Sequence, residues 1–173
     1  MLPSLTLVLG GAASGKSVSA EKIIINSGLI PVYLATARIW DDEIKLKVQA
    51  HRTRRAGAWT TLSAEVDLGP SLASARAEQA VLLDCATMWL TNVMLDELDI
   101  ESAQSGLLSA LADCAAPVVV VSNEVGQGIV PDNALARRFR EAQGRLNIAL
   151  AAQADCVIHV VAGLERTLKG ISP

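Results

Sequence analysis

The chain has 173 residues, enough for a domain with a substantial core, and its 51% hydrophobic content argues against disorder. The formal net charge of −3 argues against nucleic-acid binding driven by charge alone, so no nucleic-acid partner is expected. No uninterrupted apolar run reaches the roughly 18 residues a membrane span needs, and with only 3% aromatics the core must be built from Val, Leu, Ile and Ala.

The first apolar run, Leu5-Thr6-Leu7-Val8-Leu9, lacks a basic start and runs straight into a glycine-rich stretch, so it reads as a strand rather than a signal peptide. That stretch is Gly10-Gly11-Ala12-Ala13-Ser14-Gly15-Lys16-Ser17, which fits G-x-x-x-x-G-K-S, the phosphate-binding P-loop. A helical pattern over Ser17–Ser27 follows, completing the strand–loop–helix setting that the motif requires. Small residues let backbone N–H groups turn toward a polyphosphate, and the helix N-terminus adds partial positive charge. Lys16 is placed to reach the β- and γ-phosphates, and the Ser17 hydroxyl to meet a bound Mg²⁺.

A second strand is expected at Val32–Ala35 and a helix over Asp41–Ala56. That helix carries Asp41-Asp42-Glu43, then His51, then Arg52, Arg54 and Arg55. Cationic neighbours favour the neutral, nucleophilic imidazole and attract phosphate. A charge run of this kind also marks a solvated face, and on the residues alone the better-supported reading of His51 is an exposed helix histidine.

The run Ala80–Asp84 ends an apolar strand on an acid, the arrangement that holds Mg²⁺ directly or through water in P-loop enzymes. Helices follow at Thr87–Leu98 and Glu101–Ala115, then a strand at Val118–Ser122. The stretch Ser122-Asn123-Glu124-Val125-Gly126-Gln127-Gly128-Ile129-Val130-Pro131 reads as a loop. Asn123 and Glu124 fall near the site by position, and turn chemistry explains them equally well. A helix over Ala134–Ala154 carries Arg137, Arg138 and Arg140, which either bind phosphate or solvate the helix. A last strand at Val157–Val161 contains His159, read as structural, and Arg166–Lys169 is a candidate edge strand.

Trp40, Trp59 and Trp89 are scattered, and packing explains them as well as ligand stacking does. Cys85, Cys114 and Cys156 are odd in number, far apart and in no metal spacing, which reads as reduced thiols in a cytoplasmic protein.

Continuously apolar strands alternating with amphipathic helices predict an α/β fold: a P-loop NTPase-like, doubly wound, mostly parallel sheet flanked by helices. Residues 1–173 are expected to form a single P-loop nucleotide-binding domain, with ligands beyond the carboxyl ends of the strands.

Taken together these segments resemble the bifunctional adenosylcobinamide kinase and adenosylcobinamide-phosphate guanylyltransferase family of cobalamin biosynthesis. The resemblance spans nearly the whole chain. It is carried by the P-loop, by Tyr33-Leu34-Ala35-Thr36-Ala37, by Asp41-Asp42-Glu43 through His51, by Asp84-Cys85-Ala86-Thr87-Met88-Trp89-Leu90-Thr91-Asn92, and by the run from Ser122 to Pro131. A P-loop is common to many enzymes; the run from Asn123 to Pro131 joined to Asp-Asp-Glu and a downstream histidine is far more specific.

The resemblance implies that His51 attacks the α-phosphate of GTP, expels pyrophosphate, and passes GMP to adenosylcobinamide phosphate. An earlier reaction would phosphorylate the aminopropanol hydroxyl of adenosylcobinamide from ATP or GTP, served by Lys16, Ser17, Mg²⁺ and Asp84. Ala35, Thr36, Ala37, Arg52, Thr53, Arg54, Arg55 and Ser63 match the family's nucleotide-binding positions, and the family forms homotrimers. Two departures stand out. The family usually has Arg where this chain has Ala13, which removes a phosphate contact. It usually has Glu shortly after Trp-x-Thr, where this chain has Ser63, with Glu65 two places later. Either Glu65 takes over that role or a nucleotide contact is lost.

Two other readings remain at this level. A P-loop kinase of another small molecule would transfer phosphate with His51 incidental. A GTP-dependent binding switch would call for a guanine-specific Asn-Lys-x-Asp, which Asn123-Glu124-Val125-Gly126 does not supply.

Overall fold

β-Branched and aliphatic runs too short for helices, each closed by small or polar residues, become the strands of one sheet. The computed structural model describes residues 1–38 and 59–173. Their strands are β1 (Leu5–Gly10), β2 (Ile30–Ala35), β3 (Thr60–Ser63), β4 (Gln79–Asp84), β5 (Val118–Asn123), β6 (Cys156–Val161) and β7 (Leu164–Lys169). The helices are α1 (Lys16–Asn26), α2 (Gly69–Ala73), α3 (Ala86–Leu95), α4 (Ile100–Ala112) and α5 (Ala134–Gln153). All five strands expected in Sequence analysis and the edge strand are present. The helix expected over Asp41–Ala56 lies outside the described residues. β3 and the single-turn α2 were not anticipated: β3 is only four residues long and mostly exposed, too brief to carry a period.

The seven strands run in the order β3-β2-β4-β5-β1-β6-β7. Every neighbouring pair from β3 to β6 is parallel, and β7 alone returns antiparallel on β6. The fold is therefore the mostly parallel, helix-flanked α/β sheet expected from the alternation. Parallel strands covered on both faces must be apolar on both, and the central ones are: Val118, Val119, Val120 and Val121 are all fully buried.

Alternate residues feed two cores. One face takes Leu5, Leu7, Val81, Leu83, Val118 and Val120, packed under α2 to α5 with Trp89, Leu90, Leu107 and Leu146. The other takes Val8, Leu82, Val119, Val121 and Ile158, packed under α1 through Ala20, Ile23 and Ile24. Trp89 is a core residue; its ring nitrogen donates to the Val66 carbonyl at 2.8 Å. The cores fix the strands so that the ends of β1, β4 and β5 meet along one edge. Gly10 pairs in register with Asn123, and Asp84 with Val121.

Candidate active site

The P-loop follows β1 and closes on α1. Gly10 has no room for a side chain, because a Cβ there would strike the Ser14 side chain and the Val160 carbonyl. Gly15 sits at φ 97°, a left-handed conformation that glycine adopts without strain, and Gly163 of the β6–β7 turn lies close against it. The same turn braces the loop: Gly163 N donates to the Ser14 carbonyl at 2.8 Å.

Helices α3, α4 and α5 each carry a side-chain N-cap, from Cys85, Asp99 and Asn133. α1 has Gly15 at its N-cap and no side-chain cap. Among the described residues no side chain caps its first-turn N–H groups, the arrangement that favours an anion. The Lys16 ammonium donates to the Gly11 carbonyl at 3.2 Å, folding over the loop that would hold a phosphate. Lys16 and Ser17 are half-buried, whereas Ala12 and Ala13 are exposed.

β5 lies between β1 and β4, so Asp84 stands two strands from the P-loop. Tyr33 on β2 donates its hydroxyl to Asp84 Oδ2 at 3.2 Å, steering the half-buried carboxylate. The Asp84–Cys85 peptide is cis. Beyond it, Thr36 is fully buried, and its side chain serves the protein rather than a ligand. Its hydroxyl donates to the Cys85 carbonyl at 2.7 Å and accepts from Cys85 N at 2.9 Å. Any contact of Ala35-Thr36-Ala37 with a nucleotide then falls to the backbone and the two alanines.

Ser63 ends β3 and is exposed. The Glu65 carboxylate is engaged by Arg38 Nε through one oxygen. Arg38 also grips Asp96 with both terminal nitrogens at 2.6 Å. Asn92 completes this corner by donating to the Thr36 and Glu65 carbonyls, each at 2.8 Å. This corner was not foreseen; its members are separated by up to 58 positions and only the fold brings them together.

The loop after β5 is also built, not merely a turn. Arg137 donates to the Pro131 and Asp132 carbonyls at 2.9 and 2.7 Å, and Arg140 to the Gly126 carbonyl. Two of the three arginines left open by sequence therefore hold the loop's backbone. Glu124 N donates to the Gly10 carbonyl at 3.1 Å, which fastens the loop to the start of the P-loop.

His51, Arg52, Thr53, Arg54 and Arg55 lie outside the described residues, as do Trp40 and Asp41-Asp42-Glu43. His159 occupies β6 opposite Leu9 and Arg166, a strand position as read. No group of three or more His, Cys, Asp or Glu side chains among the described residues is arranged to hold a metal ion by itself.

Comparison with known proteins decides between the readings. Residues 6–168 match the cobinamide kinase / cobinamide phosphate guanyltransferase family. The chain belongs to this family. The bifunctional adenosylcobalamin biosynthesis protein CobP of Pseudomonas aeruginosa is 41% identical over 167 residues, covering 95% of this chain and 96% of that one. CobU of Escherichia coli, of the same description, is 38% identical over 181 residues, covering 95% and 99%. Among solved structures, a prototypical ATPase from the type III secretion system of pathogenic bacteria aligns with a TM-score of 0.54 at 10% identity, over 95% of this chain and 57% of that one. That likeness speaks to the fold alone. The matched region, residues 6–168, takes in the strand–P-loop–helix unit with Lys16 and Ser17 and the acid Asp84 at the end of β4.

Proposed function

We propose that this chain phosphorylates the aminopropanol hydroxyl of adenosylcobinamide and then transfers GMP from GTP to the resulting phosphate, releasing pyrophosphate. Membership of the cobinamide kinase / cobinamide phosphate guanyltransferase family carries this reading. The uncapped start of α1 beside Lys16 supports it physically, since it offers a seat for a triphosphate.

In the kinase step, the P-loop amides from Gly10 to Ser17 cradle the phosphates and the Lys16 ammonium screens charge on the β- and γ-oxygens. The Ser17 hydroxyl and the Asp84 carboxylate are hard oxygen donors on the same edge of the sheet, the donor type that Mg²⁺ takes. Two such groups suffice, because Mg²⁺ is commonly held by one or two carboxylates or hydroxyls together with substrate phosphates. When bound, the metal neutralises charge that develops between the β- and γ-phosphates. Tyr33 keeps Asp84 oriented for this.

In the guanylyl step, His51 is the nucleophile, with Arg52, Thr53, Arg54 and Arg55 around the nucleotide and Ser63 near it. The imidazole attacks the α-phosphorus and pyrophosphate leaves. The phosphate of adenosylcobinamide phosphate then displaces histidine from GMP. Ala13 and Ser63 each lack a polar reach that the resembled family has, so weaker nucleotide affinity is expected with the chemistry retained. We place the enzyme in the cytoplasm as a homotrimer, with no nucleic-acid partner; none of its described helices is long and apolar enough to cross a membrane.

The test is product analysis. Purified protein with adenosylcobinamide, Mg²⁺ and GTP should yield the phosphate ester first, then the GDP derivative with one pyrophosphate per GMP transferred. A phosphate ester with no GDP derivative would leave a kinase only. Turnover of neither corrinoid would overturn the proposal.

A further inference from the structure

The glutamate at the start of the loop after β5 has no role in the scheme above. Yet the fold spends several buried polar side chains on holding its strand end still. Ser122, Gln143 and Asn147 are bonded to one another: Ser122 donates to Asn147 Oδ1 at 2.6 Å, and Gln143 donates to both at 2.9 Å. Asn147 then donates to the Asn123 carbonyl at 3.0 Å, while the Thr87 hydroxyl accepts from Asn123 N at 2.9 Å. Ser122 and Gln143 are wholly buried. An apolar core would cost less than this network unless the strand end needs a fixed position.

The residue so presented is Glu124. Its own N–H is bonded to Gly10, at the root of the P-loop. Its strand lies between the one that leads to Lys16 and the one that ends in Asp84, and it extends beyond Asp84, which pairs with Val121. Its Oε1 accepts from Gly126 N at 2.5 Å, and Arg140 holds the same residue through the Gly126 carbonyl. One carboxylate oxygen is thus used to lock the side chain, and among the described residues Oε2 has no hydrogen-bond partner. Among the described residues, two other acids near these strand ends are already occupied. Asp84 is assigned to the metal, and Glu65 is engaged by Arg38.

We infer that Glu124 is the general base of the kinase step, taking the proton of the aminopropanol hydroxyl as that oxygen attacks the γ-phosphorus. The inference rests on the kinase half of the function proposed above. The hydroxyl oxygen forms a bond to the γ-phosphorus, the bond from the γ-phosphorus to the β,γ-bridging oxygen breaks, and its electron pair leaves with the nucleoside diphosphate. The proton passes to Oε2 of Glu124. The phosphate ester and the diphosphate complete the balance. General-base catalysis contributes about 10²- to 10⁴-fold.

Glu124→Gln is the informative change. Its amide oxygen can still accept from Gly126 N, so the loop keeps its lock, but it cannot take a proton. Phosphorylation of adenosylcobinamide by the variant should fall at least about 100-fold in kcat, with KM for the triphosphate nearly unchanged. Transfer of GMP to supplied adenosylcobinamide phosphate, which needs no such base, should continue at near the wild-type rate. In Glu124→Ala, added formate should restore part of the kinase rate by supplying the missing carboxylate.

Glu124→Gln retaining more than about a tenth of wild-type kinase kcat would overturn the inference, as that is too small a loss for a general base. Equal loss of both activities would also overturn it, marking Glu124 as a support of the loop. Should Glu124→Gln not fold, the absence of formate rescue in Glu124→Ala decides against it. Wild-type protein that does not phosphorylate the corrinoid at all would instead sink the underlying function.

Discussion

Thr36 and Cys85 are joined twice, the Thr36 hydroxyl donating to the Cys85 carbonyl and accepting from the Cys85 amide. Residues 49 positions apart are thereby locked at the point where β2 and β4 both end. Asp84 immediately precedes this lock, so the lock sets where the carboxylate points. Thr36→Val keeps the shape and removes both bonds. It leaves the buried Cys85 amide without its partner, at a cost of about 1–3 kcal/mol, while the Cys85 carbonyl still accepts from Trp89 N. Urea unfolding should therefore show a loss of about 1–3 kcal/mol, with Thr36→Ser close to wild type. A valine variant as stable as wild type would contradict the lock.

Among the described residues Lys16 makes a single side-chain bond, to the Gly11 carbonyl, and is half-buried. Its value lies in the ligand. Lys16→Ala should leave the unfolding midpoint nearly unchanged while lowering kinase kcat/KM by on the order of 100-fold or more, as for loss of one charge-stabilising donor. Steady-state kinetics beside thermal unfolding checks this. A variant that keeps kinase activity would remove Lys16 from the phosphate site.

Arg38 holds the Asp96 carboxyl below its ordinary value of 3.8, chiefly through the side-chain hydrogen bonds between them. The folded carboxyl ionises more readily than the unfolded one. The stabilisation is thus complete above the ordinary value and is lost as pH falls through the lower folded value. The difference in melting temperature between wild type and Arg38→Gln should be steady from about pH 8 down to about pH 5 and should shrink below about pH 4. A gap that stays constant into strong acid would show that the pair contributes through packing and not charge.

Thiol chemistry offers an independent check of burial. Cys85 is pushed up to about 12, first by burial and then by the neighbouring Asp84 charge. Burial raises Cys114 and Cys156 as well. Since the thiolate is the reacting form, a thiol reagent at about pH 8 should modify the native protein slowly and label all three cysteines only after denaturation. Rapid modification of Cys85 in the native protein would contradict its place between Asp84 and α3.

Residues carrying a period or a motif were legible in the sequence. The runs Leu5–Leu9 and Val118–Ser122 are continuously apolar, and the structure makes them adjacent central strands. The P-loop could be read because its glycines answer local demands: Gly10 has no space for a Cβ, and Gly15 takes a positive φ. What stayed hidden depends on distant partners. Thr36 looks like a ligand contact in a Tyr-Leu-Ala-Thr-Ala string, and only the arrival of Cys85 turns it inward. Arg38, Glu65 and Asp96 share no spacing that signals an ion cluster. Arg137 and Arg140 resemble a phosphate patch until the loop ahead of α5 folds back onto them. Gln143 and Asn147 lie four apart on α5, a visible helical pairing, but their purpose is set by Ser122 on another strand.

The central claim is a covalent guanylyl enzyme formed at His51, and it can be tested without the corrinoid. The protein would be incubated with α-labelled GTP and Mg²⁺, denatured and counted, beside His51→Ala. The account predicts label on the wild type alone, stable to alkali and lost in acid, as a phosphoramidate behaves. Wild-type protein that binds GTP but retains no label after denaturation would contradict guanylyl transfer through His51 and leave a P-loop kinase.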